Sequence, residues 1–375
     1  MPEVYIVSDN IVSPLGSGTA ENFGQLTAGV SGIRRQVAPE FSDKPFYASL
    51  MNGTFTARLY TKFEQLLLMS ISGALQNSRI DPGDPRTILI ISTTKGNIQM
   101  LETQAYSPEL KERISLMTSA RMVGEHLGFV QTPIVVSNAC ISGLLAIITG
   151  TRLLQSGKYT HAVIAGADIV SKFILSGFQS FLAVSSEPCR PFDLNRDGIS
   201  LGEGAGTMVL STAREYPGRI RVLGGATGND ANHISGPSRT GKELSAVVDR
   251  AIGESGLDKT DIDFISAHGT ATPYNDEMEA RAIAHSGLLG VPVHSLKGYY
   301  GHTFGAAGII ESIVAVESLR RDCLIPSKGF VELGVSQPIH IIDHVSRTPL
   351  HNCLKTASGF GGCNAAVVFG KTFAP

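Results

Sequence analysis

The chain has no tryptophan, few aromatic residues (7%) and a low share of charged ones (17%). Sparse charge beside 42% hydrophobic residues excludes a disordered chain, which lacks the apolar surface to offset its conformational entropy. A formal charge of −2 gives no general basic surface for neutralising phosphates, so nucleic acid is not the expected partner. The five cysteines, Cys140, Cys189, Cys323, Cys353 and Cys363, lack paired short spacings. Neither a zinc site nor a disulfide framework is indicated, and a reducing cytoplasm suits them. No run of eighteen apolar residues exists, and the opening MPEVYIVSDNIVSPLG lacks the basic region and long apolar run of a signal peptide. A soluble, intracellular, metal-free protein is therefore the expectation.

At 375 residues the chain is longer than single cores usually grow, which calls for two cores or one duplicated core. Apolar, β-branched runs alternate with helical patterns, the signature of an α/β protein. The runs are Val4–Val7, Thr87–Ile91, Pro133–Val136, His161–Ile164, Thr207–Leu210, Arg219–Leu223, Asp263–Ser266, Val291–Ser295, Ile339–Ile342 and Ala365–Phe369. Two segment pairs repeat in register. GEGAGTMVL from Gly202 resembles GFGGCNAAVVF from Gly359, and PIVVSNACISGLLAIITG from Pro133 resembles PVHSLKGYYGHTFGAAGIIESIVAV from Pro292. The nearly equal offsets predict a fused duplication, with halves 1–215 and 216–375.

VVSNACISGLLAI places Cys140 between a β-run and an apolar helix, where Ser142 and Gly143 suit a tight turn. A thiol there would meet free backbone N–H groups and the positive end of the helix dipole, which favour thiolate. The alternative is a buried structural cysteine. His268, in ISAHGTATPYNDEMEA, and His302, in SLKGYYGHTFGAAG, occupy matched turns after β-runs, and Lys297 lies five residues before His302. Strand ends are where open α/β sheets place functional groups. One cysteine with two neutral imidazoles fits carbon–carbon condensation better than hydrolysis. A malonyl-type thioester that loses carbon dioxide leaves an enolate oxygen, which two imidazole N–H donors would stabilise.

These segments, with SPLGSGTAENFGQLTAGVSGI, RPFDLNRDGISLGEGAGTMVL and SGFGGCNAAVVF, run nearly end to end. Together they resemble the beta-ketoacyl-acyl-carrier-protein synthases with a Cys-His-His site, of the thiolase superfamily. The resemblance implies a five-layered αβαβα sandwich from two similar halves, normally a homodimer. It also implies that Cys140 takes an acyl chain from acyl carrier protein, and that His268 and His302 promote decarboxylation of malonyl-carrier. Lys297 would organise the site, paired with Glu279. The backbone N–H groups of Cys140 and Phe360 would form an oxyanion hole, with Phe360 also a gate. Thr270 and Thr272 would bind the phosphopantetheine arm, which the carrier brings, so no resident cofactor is implied.

The chain is short for this class, with the shortening between Ile98 and Met122, and Tyr299, Tyr300 and Cys363 depart from the commonest pattern. A specialised polyketide-like or aryl-polyene pathway is one reading of these departures. Two alternatives stand beside the condensing enzyme. A thiolase acting on coenzyme A esters would use a second cysteine as acid and base. A non-catalytic chain-length factor would usually lack Cys140, and an active chain could still need one as a heterodimer mate. Carrier proteins are acidic, so Arg58 and Lys62 are the predicted docking residues.

Overall fold

Ten strands join in one hydrogen-bonded sheet: β1 (Val4–Val12), β2 (Thr87–Ser92), β3 (Ile134–Val136), β4 (His161–Asp168), β5 (Gly204–Ser211), β6 (Ile220–Asn229), β7 (Phe264–Ser266), β8 (Val293–His294), β9 (Asn352–Gly359) and β10 (Cys363–Lys371). The computed structural model describes residues 2–53, 55, 59–213, 215–216, 219–232, 234 and 236–372.

The spatial order is β8-β7-β9-β10-β6-β1-β5-β4-β2-β3. Read outward from the centre, one wing runs β1-β5-β4-β2-β3 and the other β6-β10-β9-β7-β8. In both wings the inner two pairings are antiparallel and the outer two parallel. The wings meet where Val4 pairs with Val222 and Tyr5 with Arg221. The repeated sequence pairs thus occupy equivalent places: the glycine-rich segments form β5 and β10, and the segments from Pro133 and Pro292 supply β3 and β8. This is the duplication expected from sequence.

Strand period sorts the core into layers, because successive side chains face opposite sides of a sheet. On β2, Ile88 and Ile90 face helices α3 (Ser142–Gln155) and α7 (Ala307–Arg321), while Leu89 and Ile91 face α1 (Lys62–Gln76) and α2 (Leu116–His126). On β10, Val367 and Phe369 face the same middle layer, whereas Ala366 and Val368 face α5 (Lys242–Ser255) and α6 (Pro273–His285). The result is helix, sheet, helix, sheet, helix, as the resemblance implied. Helix α7 is buried from Ala307 to Leu319, as a middle-layer helix must be.

Two glycines let the middle helices touch. A Cβ on Gly143 would lie 2.7 Å from the backbone N of Ile309, and one on Gly308 would lie 2.6 Å from that of Leu144. This crossing of α3 and α7 at their N-terminal ends brings the turn before α3, with Cys140, against the turn before α7, with His302.

The expected strand over Ile339–Ile342 does not form, and Ile341 makes only an isolated bridge to Val293. A strand not expected, β9, lies between β7 and β10, and its sequence NCLKTASG is not an apolar run. The lysine in its middle is fully buried, so the pattern broke where the structure holds a charge inside.

Candidate active site

The turn carrying Cys140 is tight. Ala139 adopts a left-handed backbone, φ +44°, which costs a non-glycine residue about 1–2 kcal/mol. The Ser142 hydroxyl steadies the turn, accepting from the Asn138 N–H at 2.8 Å and donating to the Ala139 carbonyl at 2.6 Å. Cys140 keeps part of its surface on the cleft.

His302 Nε2 lies 3.0 Å from Cys140 Sγ. On the other side of the ring, Nδ1 accepts the backbone N–H of Phe304 at 3.3 Å, which places the proton of the neutral imidazole on Nε2, facing the sulfur. The His302 main chain is pinned to Ser200 and Gly202, at 2.7 and 2.9 Å. The His268 and His302 ring centroids are 5.3 Å apart, and the Cys140 sulfur and one nitrogen of each ring lie within 4.8 Å of one another. These three form the one cluster with metal-ligand spacing among the described residues.

Burial above all, with the ammonium of Lys297 next or close behind, pushes both imidazoles well below their ordinary range. Both rings are therefore neutral donors at pH 7. Burial also pushes the Cys140 thiol up, to about 12, with Cys363 adding to the rise, and outweighs the pull of Lys297 and of the Phe360 N–H that bonds the sulfur. The expected thiolate is thus corrected to a resting thiol, because the cysteine precedes the first helical residue by two positions and its cleft walls are largely apolar.

Lys297 is fully buried, and its Nζ donates to the His268 carbonyl at 3.0 Å and to the carboxylate of Glu311. Glu279, the expected partner, does not bind it. Its carboxylate instead accepts the backbone N–H groups of His268 (2.8 Å) and Gly269 (2.5 Å), the Thr356 hydroxyl (3.1 Å) and the Asn275 amide (3.0 Å). Glu279 thus holds the His268 turn from below while the Lys297–Glu311 pair holds it from the side. Glu311 was missed because it sits in the apolar pattern of GAAGIIES; an acidic residue inside the largely apolar stretch GIIESIVAV was the available signal.

Asp168, at the end of β4, was also missed. It accepts from the Gly305 N–H (2.8 Å), the Thr94 N–H and hydroxyl (2.9 Å each) and the Thr93 hydroxyl (2.7 Å), and pairs with Lys95 at 3.1 Å. Lys95 Nζ sits 3.8 Å over the Phe304 ring, and Phe304 stacks on His302.

A cleft of about 550 Å³ opens above these groups, within the size range of small-ligand sites. Cys140, His268, His302, Thr270, Thr272 and Phe360 all line it. The Thr270 and Thr272 hydroxyls are 2.8 Å apart. Phe360 is held between Phe178, stacked at 5.7 Å, and Phe181, edge-on at 5.7 Å. Both flanking rings belong to or follow helix α4 (Lys172–Ser180).

The docking residues fare differently. Arg58 lies outside the described residues. Lys62 begins α1 and pairs at 2.6 Å with Glu203, a buried carboxylate that also accepts the N–H groups of Met51 and Val170. Its ammonium is thus engaged inside the fold by a buried carboxylate. Lys62→Glu should therefore lower stability, by about 2–3 kcal/mol, with the denaturation midpoint as the measurement; unchanged stability with a raised KM for carrier-bound substrate would restore the docking role.

The profile of the Beta-ketoacyl synthase, N-terminal domain, matches residues 1–215, and that of the Beta-ketoacyl synthase, C-terminal domain, matches residues 220–330. A 3-oxoacyl-acyl-carrier-protein synthase 2 of Vibrio cholerae is 28% identical, with 98% of each chain covered. The tetracenomycin polyketide synthase ketoacyl synthase alpha subunit of Streptomyces glaucescens is 29% identical over 98% of this chain and 97% of that one. Among solved structures, the ishigamide ketosynthase/chain length factor superposes with a TM-score of 0.91 at 25% identity, covering 99% of this chain and 100% of that one. No helix among the described residues is long and apolar enough to cross a membrane. A profile match over more than half the chain, on a fold whose two halves meet at the cysteine and the histidine pair, shows that this chain belongs to the beta-ketoacyl synthase family, the condensing acyltransferases.

Proposed function

We propose that Cys140 carries the acyl group, and that His268 and His302 act on malonyl-carrier protein in a decarboxylative condensation. The carrying observation is the 3.0 Å approach of His302 Nε2–H to Cys140 Sγ, with the second neutral imidazole facing the same cleft. In this reading the half 1–215 supplies the electrophile and the half 216–375 the enolate site.

Cys140 sulfur attacks the carbonyl carbon of the incoming acyl thioester, and the pantetheine thiol leaves with the cysteine proton. The N–H groups of Cys140 and Phe360 receive the carbonyl oxygen as charge develops on it. The malonyl thioester then binds, its arm against Thr270 and Thr272. It loses carbon dioxide, and the enolate oxygen is met by the His268 and His302 N–H groups. The enolate carbon attacks the acyl carbonyl, the cysteine sulfur leaves, and a 3-oxoacyl thioester remains on the carrier. Lys297 acts through His268 as a positioning residue. Phe360, clasped by Phe178 and Phe181, has to swing for the acyl chain to reach the sulfur.

The partner is an acyl carrier protein, and the assembly is a homodimer or a pairing with a chain-length factor in the cytoplasm. Retention of Cys140, His268 and His302 in one cluster, with His302 at bonding distance from the sulfur, favours the active chain over a non-catalytic mate. Cys363 lies behind Gly359, beside the Cys140 backbone, while a histidine pair fills the enolate side, an arrangement that favours the condensing enzyme over a thiolase. The test is intact-protein mass spectrometry after incubation with a panel of acyl-carrier thioesters. Mass added at Cys140 supports the reading, and no adduct with any carrier, alone or with a chain-length mate, would overturn it.

The imidazoles give a pH prediction. Because their pKa values are depressed, the neutral donor form persists below the usual imidazole pKa of about 6.5. Malonyl decarboxylation should stay flat from pH 8 to below about 6, measured as bicarbonate or carbon dioxide release. An acid limb centred near 6.5 would show that the rings are not shielded as described.

A further inference from the structure

Lys355 is fully buried in the middle of β9, between Leu354 and Thr356, where a hydrophobic residue would serve packing better. Its Nζ has four oxygens around it: the carbonyls of Ser266 (3.1 Å), Ala267 (3.2 Å) and Thr356 (2.8 Å), and Glu311 Oε2 at 2.7 Å. Ser266 and Ala267 are the two residues immediately before His268, and β7 lies beside β9 with Ser266 opposite Lys355. Thr356 starts the last stretch of β9, which ends at Gly359, and Phe360 follows. The next side chain, Thr356, donates to Glu279, the carboxylate under the His268 and Gly269 N–H groups. Glu311 is shared, one oxygen facing Lys297 and the other Lys355.

We propose that Lys355 is a positioning residue for the condensation, clamping the segment that delivers His268 to the segment that delivers the Phe360 N–H, through an ammonium held by three carbonyls and Glu311. It extends the reading of His268 and Phe360 given above and rests on it. Two partners of the reaction, the enolate donor and the oxyanion donor, come from neighbouring strands, and a misplacement of about 1 Å can cost about 100-fold in rate. A lysine satisfies the geometry because its three N–H donors can be spread over these acceptors, which no apolar side chain could serve. Its charge also bears on the histidines. The charged or titratable groups facing them are Lys297, Lys355 and Glu311 from behind, Glu279 below His268, Cys140 at His302, and Lys95 with Asp168 across Phe304. Lys355 is one of the cations that hold both rings neutral.

The test uses the full-length protein and two variants, Lys355→Met and Lys355→Gln, the second keeping an N–H donor without the charge. Expected are a fall in kcat for condensation of about 10- to 100-fold at nearly unchanged KM for malonyl-carrier, slower acylation of Cys140, and an acid limb of decarboxylation moved up by about half to one pH unit as a cation is lost. A purely structural lysine would lower the denaturation midpoint and the active fraction but leave that limb in place. Folded variants with kcat within about twofold of the parent and an unmoved limb would overturn the proposal. Should Lys355→Met not fold, Lys355→Gln decides by the same two readouts. His268→Ala separates this from failure of the underlying reading: if that variant decarboxylates at the parental rate, the histidine assignment falls, and with it the basis for the clamp.

Discussion

Cys140→Ala should abolish condensation, by at least about 10³-fold, and leave malonyl decarboxylation running. The sulfur is the only atom removed, so no acyl-enzyme forms, while the His268 and His302 donors and the cleft remain. His302 loses its contact with sulfur but keeps its Phe304 bond and its stacking on that ring. The reciprocal variants, His268→Ala and His302→Ala, should still acylate at Cys140 yet lose decarboxylation and condensation together, by about 10²–10³-fold, the size seen when one preorganised donor is removed. Acyl adducts by mass spectrometry and carbon dioxide release measure the two half-reactions separately. Full condensation by Cys140→Ala would sink the nucleophile assignment outright.

Glu311→Ala should be the most destabilising single change near the site, at about 3–5 kcal/mol. It leaves Lys297 and Lys355, both without solvent exposure, sharing no counter-charge. The cost of an uncompensated buried ammonium far exceeds that of a missing contact, and two are stranded at once. Burial alone would raise the Glu311 carboxyl, yet Lys297 and Lys355 outweigh it and hold the group below its usual range. Its contribution to stability is therefore present above the ordinary carboxylate pKa and is lost as pH falls through the lower folded value. In Glu311→Ala that acid-linked loss should shrink along with the midpoint of urea unfolding. A variant as stable as the parent at pH 7 would mean that the lysines are not charged in the fold.

The candidate site was legible in the sequence because it sits in turns. Turns tolerate few residue types, so glycines, a cysteine and histidines beside β-runs stand out, and the paired offsets disclosed the duplication before any coordinate. Cys140, His268, His302 and Lys297 were all found this way, Phe360 only through the family resemblance, and all five line or adjoin one cleft. What the sequence could not decide was who pairs with whom inside. Lys297 was matched to Glu279, eleven residues after His268, yet it binds Glu311 on α7, because ion pairing follows distance in space and α7 passes behind the turn. Lys355 was invisible for a related reason: a charge in a strand reads as a break in the apolar pattern, and only the carbonyls and carboxylate gathered around it show that the position is interior. Lys62 shows the opposite case, a cation at a helix start whose partner, Glu203, lies far along the chain and is folded against it. Sequence thus determined the fold class and the groups proposed to react, through local backbone demands and period-two patterning. The buried charge network that orients those groups was decided only by the tertiary structure, since its ion pairs, Lys297–Glu311 and Lys355–Glu311, join residues from different elements.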